Sequence, residues 1–413
     1  MLADFGEGVK PQPIPFQPFK SLDGQPGPGG VPIPIDDRMN HSAGDCMTLE
    51  TFGLTLDGCR DRQHILREYL RSLKLDAALL VDPRHIYSLS GYWGRAVFRP
   101  MLLIERDGPA VLALPSPSAA ELAADEVVVS KAAVCCTLVD DQAGASLSAL
   151  RERLDRFSRI GCDSGLRAGV FPAEKLIDFL PTMFAIRRCK DEDELAFLKQ
   201  IIGVTEEVYG YAKANLRAGL TEVELWASMF RVASERFGET LGEFGNDFQI
   251  GALGSPPRLR ACEPGEVAIL DLSLVCRGYH SDMCRSFVIG PPSDAQAKAH
   301  SRILEVFSVI ERMARPGVAG RVLYEAARDM LEGYEGWSFF HHLGHGVGMN
   351  GHEAPRLHGE SNDRLEVGDV FTFEPGLYGP DLKPGLRIEQ MYHVGEKGIE
   401  RLTSFPVDMA CGG

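Results

Sequence analysis

The sequence lacks the features of several large classes of protein. No apolar run approaches the length that spans a bilayer, and the first residues show no basic region followed by an apolar core, so we expect neither a membrane protein nor a signal peptide. Lys and Arg number 43 against 58 Asp and Glu, which gives a formal net charge of −15. So acidic a chain is a poor candidate for binding nucleic acid or an anionic membrane. Repeats of solenoid period are also missing.

Cysteine pairs with metal or disulfide spacing are missing as well. None of the ten cysteines forms a C-x-x-C pair, and only Cys135 and Cys136 are adjacent. This pattern predicts reduced thiols, mostly buried as small apolar side chains, in a cytoplasmic protein.

The length of 413 residues predicts more than one domain. Residues 1–50 are rich in proline and glycine and indicate either a disordered tail or an extended arm. Residues 51–182 alternate short apolar strands with helical patterns and predict an α/β domain with a mixed sheet. From residue 183 on, long helices accompany strands, which predicts an α+β domain over 183–413.

Several elements can be predicted individually. Asp191 is a plausible N-cap for a helix over 192–216, and Thr221 begins the next helix, to about residue 237. The remaining predicted helices cover 60–73, 118–125, 145–157, 294–315 and 321–332, and the longest predicted strands cover 267–275 and 386–394.

Histidines are concentrated between residues 341 and 355. Four of the chain's 11 histidines, His341, His342, His345 and His352, lie in twelve residues together with four glycines. Imidazole is the commonest metal ligand and titrates near neutral pH, so this stretch is a candidate for metal binding or acid–base chemistry. A turn with solvated histidines is the alternative.

Four acids occupy positions where an unpaired carboxylate would be costly. Asp271 lies inside an apolar strand, Asp282 follows eleven residues later past a turn, and Glu374 and Glu389 end or interrupt apolar strands. Each alone could be a salt-bridged structural acid. Together they would repel one another unless cations bind them, and an oxygen-rich set with one imidazole favours two divalent ions of manganese, iron, cobalt or zinc.

These motifs resemble the M24 metallopeptidase superfamily, which includes creatinase, aminopeptidase P and prolidase. The resemblance rests on Asp271-x10-Asp282-x-x-Arg285, His341-x-x-Gly344-His345-Gly346-x-Gly348-x3-His352-Glu353-x-Pro355, Glu374-Pro375-Gly376 and Arg387-x-Glu389. It implies a pita-bread catalytic domain preceded by a creatinase-type N-terminal domain, commonly in a homodimer.

The resemblance also implies roles for the site residues. Asp271, Asp282, His345, Glu374 and Glu389 would be the metal ligands, with Asp282 and Glu389 bridging the two ions. His352 would contact substrate and move protons, Glu374 would also act as the proton acceptor, and Arg387 would hold a substrate carboxylate or brace the site. His341 would line the pocket, whereas we expect only structural roles for His342, His280 and His358.

The sequence departs from the peptidase pattern at one place. Peptidases of this group usually carry a further histidine some seventeen residues before the first ligand aspartate, where this chain has Gly254. No histidine occurs between His85 and His280, so a shifted alignment does not supply one. The loss predicts weak Xaa-Pro dipeptidase activity, and it predicts that Gly254→His would raise it. A milder departure is Gln390, where aspartate is common.

Three functions are compatible with these features. The first is a hydrolase of the Xaa-Pro aminopeptidase or prolidase type, which cleaves short peptides or amides through a metal-bridging hydroxide. The second is a metal-dependent lyase or non-peptide C–N hydrolase of a small zwitterion, similar to a dimethylsulfoniopropionate lyase or creatinase, with Arg258 or Arg260 in the space of the absent histidine. The third is a binding protein that has lost catalysis, which the complete ligand set argues against.

Overall fold

A computed structural model describes residues 52–94, 99–130, 143–164 and 173–412. The predicted proline-rich arm, residues 1–50, lies outside these ranges, as do Cys135 and Cys136. The described residues belong to one compact unit, so the predicted boundary at residue 183 stays a prediction. In the described part of the chain, no helix is both long enough and apolar enough to cross a bilayer.

The first half of the described chain is built on one mixed sheet, as predicted. Its strands are β1 Ala77–Leu80, β2 Met101–Glu105, β3 Ala110–Leu114, β4 Glu126–Val129, β5 Ile160–Cys162 and β6 Leu176–Asp178. They follow the order β4-β3-β2-β1-β5-β6, and β1, β2 and β3 pair antiparallel while the other neighbours are parallel. The three central antiparallel strands are apolar and almost fully buried because helices cover the sheet.

Four helices accompany this sheet, and one predicted helix is absent from it. The helices are α1 Leu56–Ser72, α2 Pro83–Ser90, α3 Ala143–Leu154 and α4 Leu180–Arg188. The prediction of a helix over residues 118–125 was wrong, because the segment runs through bends. Its backbone is used elsewhere: the amide of Ala123 donates to Ser90 O at 3.0 Å and that of Asp125 to Ala110 O at 2.8 Å. Tertiary hydrogen bonds therefore override the local pattern.

Two long helices begin where the sequence predicted. They are α5 Glu192–Asn215 and α6 Glu222–Phe237. Each starts with a capping box, in which the side chain of Asp191 or Thr221 accepts from the amide three residues on, and the glutamate there accepts in return.

The second half combines strands with two further helices. The strands are β7 Val267–Leu272, β8 Val275–Cys276, β9 Tyr279–His280, β10 Met283–Val288, β11 Gly344–Gly346, β12 Glu353–Leu357, β13 Val370–Phe373, β14 Gly376–Tyr378, β15 Gly385–Arg387, β16 Gln390–Gly395 and β17 Gly398–Arg401. The helices are α7 Asp294–Met313 and α8 Gly320–Leu331. Strands β12-β11-β13-β16-β17 form one sheet, β7 pairs with β10, and β14 pairs with β15. The α+β class is confirmed.

Both of the long predicted strands are interrupted. The predicted strand 267–275 breaks between β7 and β8, and 386–394 breaks at Ile388 and Glu389. At the second break the amide of Glu389 donates to Cys284 O, at 3.0 Å, instead of continuing a regular ladder. The break therefore sets Glu389 against the β7–β10 pair.

Candidate metal centre

The five predicted ligands come from five different places in the strand framework. Asp271 lies on β7, Asp282 just before β10, His345 on β11, Glu374 just after β13, and Glu389 between β15 and β16. The β7–β10 register sets Cys284 opposite Asp271, so the intervening turn returns Asp282 to the same end of the pair. All five side chains line one cavity of about 270 Å³.

Glycines allow β11 to lie close to its neighbours. A Cβ atom on Gly344 would lie 1.9 Å from Thr372 O, and one on Gly346 would lie 2.0 Å from Ala354 O. Only glycine fits at these two positions, because both neighbours are backbone carbonyls. The tight packing fixes the intervening His345 beside the carboxylates.

The donor atoms converge on a space suited to a cation. Asp282, His345 and Glu389 each offer a ligand atom, and these atoms lie within 4.8 Å of one another. His345 Nε2 is 3.8 Å from Asp282 Oδ2 and 3.5 Å from Glu374 Oε1. Glu389 Oε2 is buried and, among the described residues, has no hydrogen-bond partner. A buried orphan oxygen among carboxylates fits a divalent cation.

The pKa values of the site acids reflect their burial and their mutual repulsion. Burial and the neighbouring acids raise the pKa of Asp282 and of Glu389 well above the usual range. Burial likewise raises the pKa of Asp271 to about 6, although Arg387 opposes the change. Glu374 differs: burial acts against ionisation, but the neighbouring histidines, His342 foremost, lower its pKa to about 2. Burial also lowers the pKa of His345 to about 4, which keeps its ring neutral and able to ligate.

Arg387 is engaged by acids of the protein itself. Its Nη2 lies 2.7 Å from Asp271 Oδ2 and 2.5 Å from Asp247 Oδ2, and Nη1 lies 3.4 Å from the Tyr378 hydroxyl. The sequence left two roles open for Arg387, holding a substrate carboxylate or bracing the site. These contacts favour the bracing role.

Asp247 is a site residue that the sequence analysis missed. The Asp271 amide donates to Asp247 O at 3.1 Å, which sets the two acids side by side, and Asp247 Oδ1 accepts from the Ser255 amide at 2.8 Å. In the sequence Asp247 stands in a short polar turn before Phe248, without the apolar strand that drew attention to Asp271.

All four histidines of the 341–355 stretch line the cavity, and each has different neighbours. The ring of His352 stacks on His345, with centroids 3.6 Å apart, and remains exposed to the cavity. His341 Nε2 lies 2.8 Å from the Tyr378 hydroxyl, as expected for a lining residue. His342 lies in the same cavity with Nε2 2.9 Å from Glu374 Oε1, so the expectation of a purely structural role for it does not match its position.

The other two histidines with expected structural roles lie at neighbouring cavities. His280 is buried, with Nδ1 3.2 Å from the Ser273 hydroxyl. His358 packs on the ring of Tyr324 and lines a second cavity, of about 540 Å³, beyond His352.

Neither Arg258 nor Arg260 replaces the absent histidine. Arg258 pairs with the buried Glu222 at 2.7 Å, and Arg260 pairs with Glu266 at 2.5 Å. The expectation that one of them fills the space was therefore wrong, because both guanidinium groups are paired with acids that do not line the cavity. Gly254 itself has φ of 142°, and a Cβ there would lie 2.3 Å from Asp247 Oδ1.

Comparisons with known proteins agree with this architecture. A family model for metallopeptidase family M24 matches residues 196–396, and one for the creatinase/prolidase N-terminal domain matches residues 62–189. A Bacillus subtilis protein named putative dipeptidase YkvY is 31% identical over 238 residues, which are 55% of this chain and 64% of that relative's length. A Staphylococcus aureus protein named uncharacterized peptidase SAUSA300_1654 is 28% identical over 349 residues, covering 81% of this chain and 97% of the relative.

Solved structures share the fold. The prolidase from Pyrococcus horikoshii OT3 superposes with a TM-score of 0.70 at 22% identity, over 84% of this chain and 99% of that one. The X-Pro aminopeptidase from Thermotoga maritima MSB8 superposes with a TM-score of 0.68 at 24% identity, with the same coverage of both chains. These likenesses confirm the fold, and the two family matches confirm the predicted order of a creatinase-type N-terminal domain followed by the catalytic domain.

Proposed function

Because the chain belongs to the M24 metallopeptidase superfamily, we propose that it is a metal-dependent hydrolase of the Xaa-Pro aminopeptidase or prolidase type, acting on short peptides or amides. The observation that carries the proposal is the convergence of four carboxylates and His345 on one cavity. A homodimer in the cytoplasm stays a prediction.

Asp271, Asp282, His345, Glu374 and Glu389 would hold two divalent ions. The orphan oxygen of Glu389 and the raised pKa values of Asp282 and Glu389 support this assignment, because a cation would offset both costs. The donors are mostly oxygen, which favours manganese, iron, cobalt or zinc. When bound, such ions polarise a carbonyl and lower the pKa of a water molecule.

Glu374 and His352 would handle protons and charge. The low pKa of Glu374 keeps its carboxylate ionised at neutral pH, so it can accept a proton and return it to the leaving amine. Burial, and then His342, lower the pKa of His352, so its ring is neutral at pH 7 and can donate one N–H to a developing oxyanion. Arg387 would hold Asp271 in place through the 2.7 Å contact.

A second candidate is a lyase or C–N hydrolase of a small zwitterion. The observation that favours it is the surroundings of Gly254: a Cβ there would lie against the Asp247 carboxylate, and Arg258 and Arg260 of the same loop are paired with Glu222 and Glu266. Loss of one oxyanion donor typically costs a hundredfold or more in rate, so peptide hydrolysis would be weakened.

One panel separates the two candidates. The purified protein, loaded with Mn²⁺, Co²⁺ or Zn²⁺, is assayed against Xaa-Pro dipeptides, their amides and methylated small zwitterions. The peptidase proposal predicts metal-dependent release of the amino-terminal residue. His352→Ala should lower this activity by on the order of a hundredfold or more, whereas His64→Ala, a change at an exposed histidine on α1, should leave it unchanged. Turnover of zwitterions alone would favour the second candidate, and peptide turnover by metal-free protein would contradict both.

A further inference from the structure

We propose that residues at the start of α2 and the end of α4, from the N-terminal part of the chain, position His352 for catalysis. They hold the turn before His352 and the residue after it. The inference rests on the proposed function, in which His352 contacts substrate.

The first contact runs from Arg84 to the turn that precedes His352. Asp82 Oδ1 accepts from the Arg84 amide at 2.9 Å and from its Nε at 3.0 Å, while Oδ2 accepts from Nη2 at 2.6 Å. Because these bonds fix the guanidinium, its remaining nitrogen has one direction available. Nη1 donates to Met349 O at 3.2 Å and to the side-chain oxygen of Asn350. Arg84 thus holds two consecutive residues of the glycine-rich turn.

The second contact begins at the next residue, His85, which is fully buried. Its Nδ1 lies 2.6 Å from Asp163 Oδ2, and Asp163 Oδ1 in turn accepts from the Val81 amide at 2.9 Å. Its Nε2 lies 2.9 Å from Arg187 Nη1. Because arginine can only donate, Nε2 must accept and Nδ1 must carry the hydrogen that Asp163 receives. The ring therefore has a defined tautomer and orients Arg187.

Arg187 completes the connection to the residue after His352. Its Nη2 donates to Glu353 Oε2 at 3.0 Å, and Lys190 Nζ donates to Glu353 Oε1 at 2.5 Å. Glu353 is the first residue of β12 and pairs with Gly346 of β11. Because His352 directly precedes it, the position of Glu353 fixes the backbone at His352. With the turn held by Arg84 on one side and Glu353 held on the other, His352 is kept stacked over His345.

A purely structural role for the same contacts is the competing explanation. Arg62 offers the matched comparison, since it is an equally buried arginine of the N-terminal part. Its Nη1 lies 2.5 Å from both Asp191 Oδ2 and Asp193 Oδ1, at the start of α5. If only burial of charge mattered, its loss would act on the protein as the loss of Arg187 does.

The first experiment observes His352 without any substrate. The full chain is labelled at histidine Cε1, and the His352 signal is assigned by its absence from the spectrum of His352→Ala. We expect this signal to shift or broaden in Arg187→Met and in Arg84→Met and to stay in place in Arg62→Met. Should Arg187→Met fail to fold, Arg84→Met decides alone, because the Arg84 side chain is 37% exposed and its removal disturbs the core less. An unmoved signal, or equal changes in Arg62→Met, would overturn the proposal.

The second experiment uses turnover of an Xaa-Pro peptide. A misplacement of about 1 Å can cost on the order of a hundredfold in rate, so we expect kcat to fall about tenfold or more in Arg187→Met, with KM within about twofold. When Arg187→Met is added to His352→Ala, kcat should fall no further, because the residue that Arg187 positions is already gone. If Arg187→Met instead lowers kcat by the same factor in both backgrounds, it causes a general loss of active protein, and the positioning role is refuted. Absence of wild-type turnover would refute the proposed function alone, since the histidine spectra still decide the positioning.

Discussion

The crowded carboxylates make a sharp prediction for Asp282→Asn in the metal-free protein. The ligand atoms of Asp282 and Glu389 lie within 4.8 Å of one another. Two unit negative charges at that distance repel by about 3.5 kcal/mol at an effective dielectric constant of about 20. Protonation of one carboxyl relieves part of this, so we expect the neutral asparagine to raise the free energy of unfolding by about 1 to 3 kcal/mol at pH 7.5.

The pH dependence follows from the direction of the pKa changes. A carboxyl whose pKa is raised by folding binds more protons folded than unfolded, so the stability of the metal-free wild type should fall as pH rises through that interval. For Asp271 the interval runs from 3.8 to about 6, which corresponds to about 3 kcal/mol. The raised pKa values of Asp282 and Glu389 extend this pH interval upward. The advantage of Asp282→Asn should therefore shrink towards pH 5.

Metal should reverse the order of stability. A cation present at a hundred times its Kd stabilises the wild type by about 2.7 kcal/mol, whereas Asp282→Asn should gain little. Urea unfolding followed by circular dichroism, with and without Mn²⁺, measures both effects, and Glu121→Gln serves as the control at an exposed acid. The reasoning would be refuted if Asp282→Asn were less stable than metal-free wild type, or if metal stabilised both equally.

Three further predictions concern single residues of the site. Glu389→Ala should lose both ions in elemental analysis, because it is expected to bridge them, and a variant that retains two ions would contradict the assignment. His352→Ala should keep metal and fold while losing on the order of a hundredfold or more in turnover; a parallel fall in metal content would make it a ligand instead. Gly254→His should reduce stability and fail to raise peptidase activity, since its Cβ would lie 2.3 Å from Asp247 Oδ1 at a φ of 142°. A thermal melt and a peptide assay test this revision of the sequence-based prediction.

Three acids of the site could be predicted from the sequence because each lies in an unfavourable local context. A carboxylate inside an apolar strand is costly, so Asp271, Glu374 and Glu389 were conspicuous without any structure. The helix starts at Asp191 and Thr221 were equally local, since a capping box occupies four consecutive residues. The two helix starts were confirmed, and the predicted acids lie together in one cavity, while their role as metal ligands stays a prediction.

What the sequence did not reveal depends on contacts between distant segments. Asp247 joins the site only because its backbone pairs with Asp271, and His342 faces Glu374 only because β11 and β13 pack together. The partners of His85, Asp163 and Arg187, lie 78 and 102 residues away from it in the sequence. The periodicity and spacing of residues within one segment cannot predict contacts between distant segments.

The position of Asp247 bears on which substrates the cavity accepts. Asp247 with Asp271, Asp282, Glu374 and Glu389 makes five carboxylates, and Arg387 offsets one of them. Two divalent cations would balance the remaining four, so the filled site would carry no surplus positive charge to attract an anion. The guanidinium that could have bound a substrate carboxylate already lies 2.5 Å from Asp247 and 2.7 Å from Asp271. Arg387 is the only arginine or lysine among the described residues that line the cavity. A free carboxylate next to the scissile bond would therefore find that guanidinium already paired, and a peptide amide or a longer peptide should bind better than a dipeptide there.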